Sequence, residues 1–164
     1  KEMLMSDFKF WGWNKKPRTM LRYEKPGDIF CFQLNNETYG FGRIISKIMT
    51  GHVVEIFDFV SSSPSITEDD IKKSNRKITP VVIDTYGLFD RKGYPNSDWR
   101  IIGHQNNYTP MNMDDIYFSY GVENSCYKVD IFNNDFPITE KEATKYPRLI
   151  PHSDYHIKEL LGAI

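Results

Sequence analysis

At 164 residues, with 40% hydrophobic and 26% charged side chains, the chain has the make-up of an ordinary soluble globular protein, expected as one domain over residues 1–164. A net charge of −1 gives no bulk affinity for nucleic acid, and no apolar run nears the ~18 residues that a membrane span needs. Two cysteines, Cys31 and Cys126, make no disulfide framework, and Lys1 to Asp7 holds no secretory apolar region, so a cytoplasmic protein is expected.

Aromatic residues make up 15% of the chain, a bias that favours strands and binding surfaces. Phe8 to Trp13 alternates well enough for a short strand or an apolar arm. Pro26-Gly27 marks a turn, and Ile29 to Leu34 is a β-prone run. Asn35-Asn36 turns the chain into a returning strand, Tyr39 to Ile45. Gly40 and Gly42 within that strand predict a bulge or a close approach of another backbone. Thr50-Gly51 leads to a third strand, His52 to Phe59, which completes an antiparallel meander.

Ser61 to Pro64 breaks the sheet. Thr67 and Asp70 then suit a capping box for a short helix ending by Ser74-Asn75. Ile78 to Asp84 is a strand that Pro80 sends to an edge. Leu88 to Asp98 is a loop, and Asp98 to Gly103 a further strand. Asp115 to Tyr120 and Ser125 to Phe132 are expected as a hairpin around Gly121 to Asn124. Thr139 with Glu142 fits a second capping box, and Ser153 caps the last helix. In that helix Ile157, Leu160, Leu161 and Ile164 form one apolar stripe expected to bury against the sheet. The fold class is therefore α+β: mainly an antiparallel β-sheet or a partly open β-barrel, with a few short helices and a C-terminal helix packed on the sheet.

No catalytic, cofactor or metal set stands out. His152 and His156 have i, i+4 spacing, but no further ligand motif accompanies them. Cys31 with His104 is a conceivable nucleophile and base, yet an apolar strand would raise the thiol pKa. Gly40-Phe41-Gly42 lacks the third glycine and the helix of a phosphate loop. Lys9, Lys15, Lys16, Arg18 and Arg22 interleave with Phe10, Trp11 and Trp13. That segment supports an alternative reading, a small nucleic-acid-binding β-barrel, although a solvated arm explains it more simply.

What remains is a surface. Acids and tyrosines alternate between Asn112 and Asn124, with Tyr117 and Ser119 on one strand face and Phe118 and Tyr120 on the other. Buried aromatics supply binding energy, and acids steer a basic partner. The candidate contact residues are Asp114, Asp115, Tyr117, Tyr120, Glu123, Asp130 and Asp135. The same pattern also fits a core strand with a wet outer face.

Five blocks occur in order: Phe10-Trp11, Lys25-Pro26-Gly27-Asp28-Ile29-Phe30, Tyr39-Gly40-Phe41-Gly42-Arg43-Ile44-Ile45, Glu55-Ile56-Phe57-Asp58 and Trp99-Arg100-Ile101-Ile102-Gly103. Together they resemble the immunity 26 family of bacterial polymorphic-toxin and contact-dependent growth inhibition systems, over roughly residues 8 to 105. The resemblance implies a non-enzymatic cytoplasmic protein without cofactors. Its partner would be a cognate toxin C-terminal domain, a nuclease among the options, encoded in a neighbouring gene. The matching positions are mostly glycine, proline and apolar, so they read as scaffold, and no site residue is carried over from the family.

Overall fold

A tight bend around Pro26-Gly27 starts the main sheet. The Asp28 carboxylate accepts from the Lys25 N–H at 3.1 Å, and the Asp28 N–H donates back to the Lys25 carbonyl. Gly27 sits at φ +93°, a region that side chains disfavour. The computed structural model describes residues 6–14 and 24–164.

Six strands follow the predicted pattern: β1 (Phe8–Phe10), β2 (Asp28–Gln33), β3 (Tyr39–Ile48), β4 (Gly51–Ser61), β5 (Val81–Ile83) and β6 (Trp99–Gln105). They pair antiparallel in the spatial order β1-β6-β2-β3-β4-β5. The meander β2-β3-β4 and the edge position of β5 match expectation. A second sheet has the order β7 (Phe118–Tyr120), β8 (Cys126–Val129), β9 (Asp135–Ile138). Both sheets are open, with edges at β1 and β5 and at β7 and β9, so the fold is the expected α+β arrangement of open antiparallel sheet with a few short helices. The helices are short: α1 (Glu68–Lys73), α2 (Thr85–Leu88), α3 (Glu140–Ala143) and α4 (Asp154–Leu160). Thr67 with Asp70 and Thr139 with Glu142 form the two predicted capping boxes, and Ser153 caps α4. No helix of the described residues is long and apolar enough to cross a membrane.

Several details differ from expectation, among them the unexpected α2 and the end of β8 at Val129 rather than Phe132. β7 begins only at Phe118, because the chain turns at Asp114-Asp115 with Asp115 at φ +64°. β9 was not expected: it is mostly exposed and contains Pro137, which a sheet accepts only at an edge. The apolar stripe of the last helix is only half buried. Ile157 is sealed and Leu161 packs on the core, whereas Leu160 and Ile164 are exposed. The helix stops at Leu160 and Gly162 turns at φ +72°, which takes Ile164 out of helical register.

Alternation along the strands divides the core between two faces of the main sheet. One face carries Phe30, Phe32, Ile44, Val54, Ile56, Trp99 and Ile101, covered by Leu88, Phe89 and Ile157. The Trp99 ring stacks on Phe32 at 4.3 Å and on Phe30 at 5.5 Å, with Phe89 edge-on at 5.8 Å. Gly40 and Gly42 make room for this cluster. A Cβ at Gly40 would meet the Phe32 ring at 2.5 Å, and one at Gly42 would meet the Phe30 ring at 2.4 Å. The register with β4 also slips between these glycines, so both the bulge and the close approach are present. The opposite face has two covers. Residues Ile66 and Ile71 of the α1 region pack on Ile29, Cys31, Phe41, Phe57 and Ile102. Phe118, Val129 and Ile131 of the second layer pack on Ile45, Ile48, Val53 and Val82.

His52, at the start of β4, is buried with its Nδ1 2.7 Å from the Thr85 hydroxyl of α2. Burial, and then the charge of Lys47, pull its pKa down to about 4. The unfolded chain, with an ordinary imidazole near 6.5, therefore binds a proton that the fold rejects between those values. Stability is expected to fall as pH drops through this window, by at most about 3 kcal/mol. Urea midpoints measured from pH 7.5 down to 4.5 test this, and His52→Gln should flatten the slope.

Candidate functional site

A gap opens on this face between the α1 region and the 105–112 loop, and its floor is polar. In β4 the alternation that turns Val53 and Phe57 toward the covered face turns Glu55 with them, and cross-strand pairing sets Arg43 opposite Glu55. The Arg43 Nε donates to one Glu55 carboxylate oxygen at 2.9 Å. The other oxygen accepts from the Arg76 Nε, also at 2.9 Å. Arg76 comes from the segment after α1, which runs antiparallel to β4 through a bridge between Arg76 and Phe57. The Arg43 Nη1 donates to the Gln105 side-chain oxygen at 2.7 Å, and its guanidinium lies 4.7 Å from the Tyr108 ring centroid.

The same Arg76 holds the loop above the floor. Its Nη1 donates to the Asn112 carbonyl at 2.7 Å and its Nη2 to the Met111 carbonyl at 2.8 Å. Asn107, Asn112 and Asp115 in this stretch all have φ near +60°, a conformation that Asn and Asp tolerate better than other side chains. The result is a cleft of about 580 Å³, with Phe8, Phe57, Ile71 and Tyr108 among its walls and Lys72 beside them. That volume is within the usual range for ligand sites. Burial, and then the Glu55 charge, push the Tyr108 hydroxyl up to about 12, so it is a neutral donor at physiological pH. The floor itself holds two guanidinium groups and one carboxylate.

The sequence reading missed this site because Arg43 and Glu55 sit inside blocks taken as scaffold. The available signal was their position: charged residues at inward-facing places in otherwise apolar strands.

The seven candidate contact residues are distributed on and around the second layer. Asp114 and Asp115 occupy the exposed turn just after Asn112. Tyr117 packs on Tyr146 at 5.5 Å and on Phe136 at 6.4 Å, with the Lys128 ammonium 4.1 Å from its ring. Tyr120 stacks on Tyr127 at 5.3 Å and donates its hydroxyl proton to Asp135, a bond that raises the Tyr120 pKa to about 12. Glu123 is exposed at φ +53°. Asp130 accepts from the Phe132 and Asn134 N–H groups, so its carboxylate closes the β8–β9 turn. Tyr120 and Asp135 are thus joined directly, and Asp130 serves its own turn.

The other chemical candidates are engaged elsewhere. Burial pushes the Cys31 thiol far above its ordinary pKa. His104 bonds Asp28 at 2.8 Å, and Cys31 lies opposite Arg100 on β6, so Cys31 and His104 form no dyad. Both cysteines are free and buried. Ellman's reagent is expected to label neither at an appreciable rate in the native protein and both once urea unfolds it; fast native labelling of Cys31 would contradict this. The His152 Nδ1 donates to the Val82 carbonyl at 3.0 Å, while the His156 Nδ1 lies 3.2 Å from the Ser153 hydroxyl. Among the described residues no group of three or more metal-ligating side chains converges.

Trp11 donates its indole N–H to the Ile101 carbonyl, and Trp13 packs edge-on against Tyr39 under Arg100. Both tryptophans of the proposed nucleic-acid segment are therefore used in internal packing, whereas Phe10 is exposed. Its Lys15, Lys16, Arg18 and Arg22 lie outside the described residues.

Comparison with known proteins identifies a family for the chain. The family model described as Immunity protein 26 matches residues 25–130, which include Arg43, Glu55, Arg76, Gln105 and Tyr108. No curated protein and no solved structure matches the chain. The match covers well over half of the sequence, and the chain belongs to the Immunity protein 26 family.

Proposed function

We propose that the protein binds and neutralises a cognate toxin domain in the cytoplasm of the cell that makes the toxin, without catalysis of its own. The carrying observation is the family match over residues 25–130. The partner is a toxin C-terminal domain encoded in an adjacent gene of a polymorphic-toxin or contact-dependent growth inhibition system, with a nuclease as one option. Neutralisation at low concentration needs nanomolar affinity, about −12 kcal/mol, over an interface of roughly 1,600 Å².

The second layer supplies a suitable surface. Asp114, Asp115 and Glu123 present negative charge to solvent, and the half-buried Tyr117 and Tyr120 provide rigid apolar area. Asp130 and Asp135 add charge from fixed positions, since internal bonds hold both carboxylates. Co-expression with the toxin domain encoded beside it tests the reading. The expected result is rescued growth and a stable one-to-one complex. A folded protein that neither binds nor protects against that domain would refute it.

A further inference from the structure

The cleft beside α1 has a positively charged floor, although the chain as a whole carries a net charge of −1. Two arginines share one carboxylate on its floor, so the cluster is one negative charge short of neutral. Lys72, at the wall, is offset by its own i, i+4 pair with Glu68 at 2.7 Å and adds no net charge. The two arginines differ in what they can still bind. Arg76 is committed at Nε, Nη1 and Nη2, to Glu55 and to the loop carbonyls. The direct bonds of Arg43 to Glu55 and Gln105 engage Nε and Nη1, and a guanidinium carries five N–H donors. Arg43 lines the cleft with N–H donors beyond those two bonds, beside the Tyr108 hydroxyl that it also reaches, and its guanidinium carbon lies 4.7 and 5.5 Å from the Tyr108 and Phe57 ring centroids. A guanidinium already held by two hydrogen bonds and two aromatic contacts binds a carboxylate with little left to order on binding.

We propose that this cleft is a carboxylate pocket that receives an aspartate or glutamate side chain of the toxin domain, with Arg43 as the principal donor. The partner assignment rests on the immunity reading, and the pocket itself does not. Two features favour a side chain on a protein over a free metabolite. Asn112 at the cleft leads directly into the exposed turn of Asp114 and Asp115, so pocket and proposed contact surface adjoin. The walls also combine Phe8, Phe57, Ile71 and Tyr108 with polar groups, the mixture that a loop with an acidic tip and an apolar stem would need.

The pocket is tested first without any toxin. N-acetyl-L-glutamate N-methylamide, which presents one side-chain carboxylate, is titrated into the full chain while the Arg43 Nε–H resonance is followed by NMR. A saturable shift that weakens with salt is expected, with none from the glutamine counterpart. No saturable shift, or an equal response to both probes, would overturn the proposal. Because Arg43→Met could disturb the fold, the variants are Lys72→Glu and Asn112→Asp at the cleft lining. Both leave the Arg43–Glu55–Arg76 bonds in place, and asparagine at φ +58° is replaced by a residue that tolerates the same backbone. Together they should weaken both the probe and the toxin domain about tenfold or more by like-charge repulsion. Full protection by the double variant, with the probe excluded, would overturn the toxin side chain as occupant while leaving the immunity function intact. A wild-type protein that binds the probe and ignores the toxin would refute the immunity reading and with it the assigned partner.

Discussion

Glu55→Ala is expected to destabilise the protein by about 3–5 kcal/mol, the usual cost of removing one partner from a buried ion cluster. The side chain is only 7% exposed, and its two oxygens each take one guanidinium at 2.9 Å. Without it, Arg43 and Arg76 face each other across the floor, both substantially desolvated, with no intervening charge. The damage should spread beyond the ion cluster, because Arg76 also pins the carbonyls of Met111 and Asn112. Urea denaturation gives the total, and amide hydrogen exchange across residues 106–115 should show the loop opening at a much lower free energy than the sheet. Pairing Glu55→Ala with Arg76→Met should recover part of the loss, since one unpaired cation is then removed. A loss below about 1 kcal/mol for Glu55→Ala would mean that the cluster is well hydrated and contributes little to stability.

Trp99→Ala is expected to cost a comparable 3–5 kcal/mol, roughly, through lost packing rather than charge. The ring is 1% exposed and touches Phe30, Phe32 and Phe89 at once. Its indole N–H also donates to the Asp154 carboxylate at 2.8 Å, which ties the first turn of α4 to the sheet. Two variants separate the contributions. Trp99→Phe keeps most of the ring packing and loses the hydrogen bond, and should cost about 1–2 kcal/mol, with exchange protection falling first in residues 154–160. Asp154→Ala, which removes the acceptor, should reproduce that local effect with a smaller change in the global midpoint. If Trp99→Ala shifted stability by less than about 1.5 kcal/mol, the aromatic cluster would not be the centre of this core.

The elements that sequence reading recovered are those whose signals are local. Pro26-Gly27, Thr67 with Asp70, and Thr139 with Glu142 each act within four residues, and each does what its chemistry implies. Gly40 and Gly42 were recognisable as sites of close approach, although the rings that approach them could only be named from the cross-strand register. The cleft was hidden for a different reason. Its charged residues come from β3, β4 and the segment after α1, and no spacing rule joins positions 43, 55 and 76. Family resemblance drew attention to the blocks holding Arg43 and Glu55, but their glycines and aliphatic residues suggested scaffold. The role of Asp130 in closing the β8–β9 turn was likewise hidden, because no local pattern names the Phe132 and Asn134 N–H groups as its partners. β9 escaped because Asp135-Phe136-Pro137-Ile138 has little of a buried strand's composition, being an edge strand.

The position of β6 between β1 and β2 bears on how the chain reaches this structure. β3 follows β2 almost at once in synthesis and can close that side of it early. The other side of β2 has no partner until β4, α1, β5 and α2 have all been made. At ribosomal rates this leaves Ile29 to Phe32 with an unpaired, strongly apolar edge for several seconds, a template for pairing with another nascent chain. The polypeptide is thus most prone to aggregate midway through translation, and chains released before Trp99 should be found in the insoluble fraction.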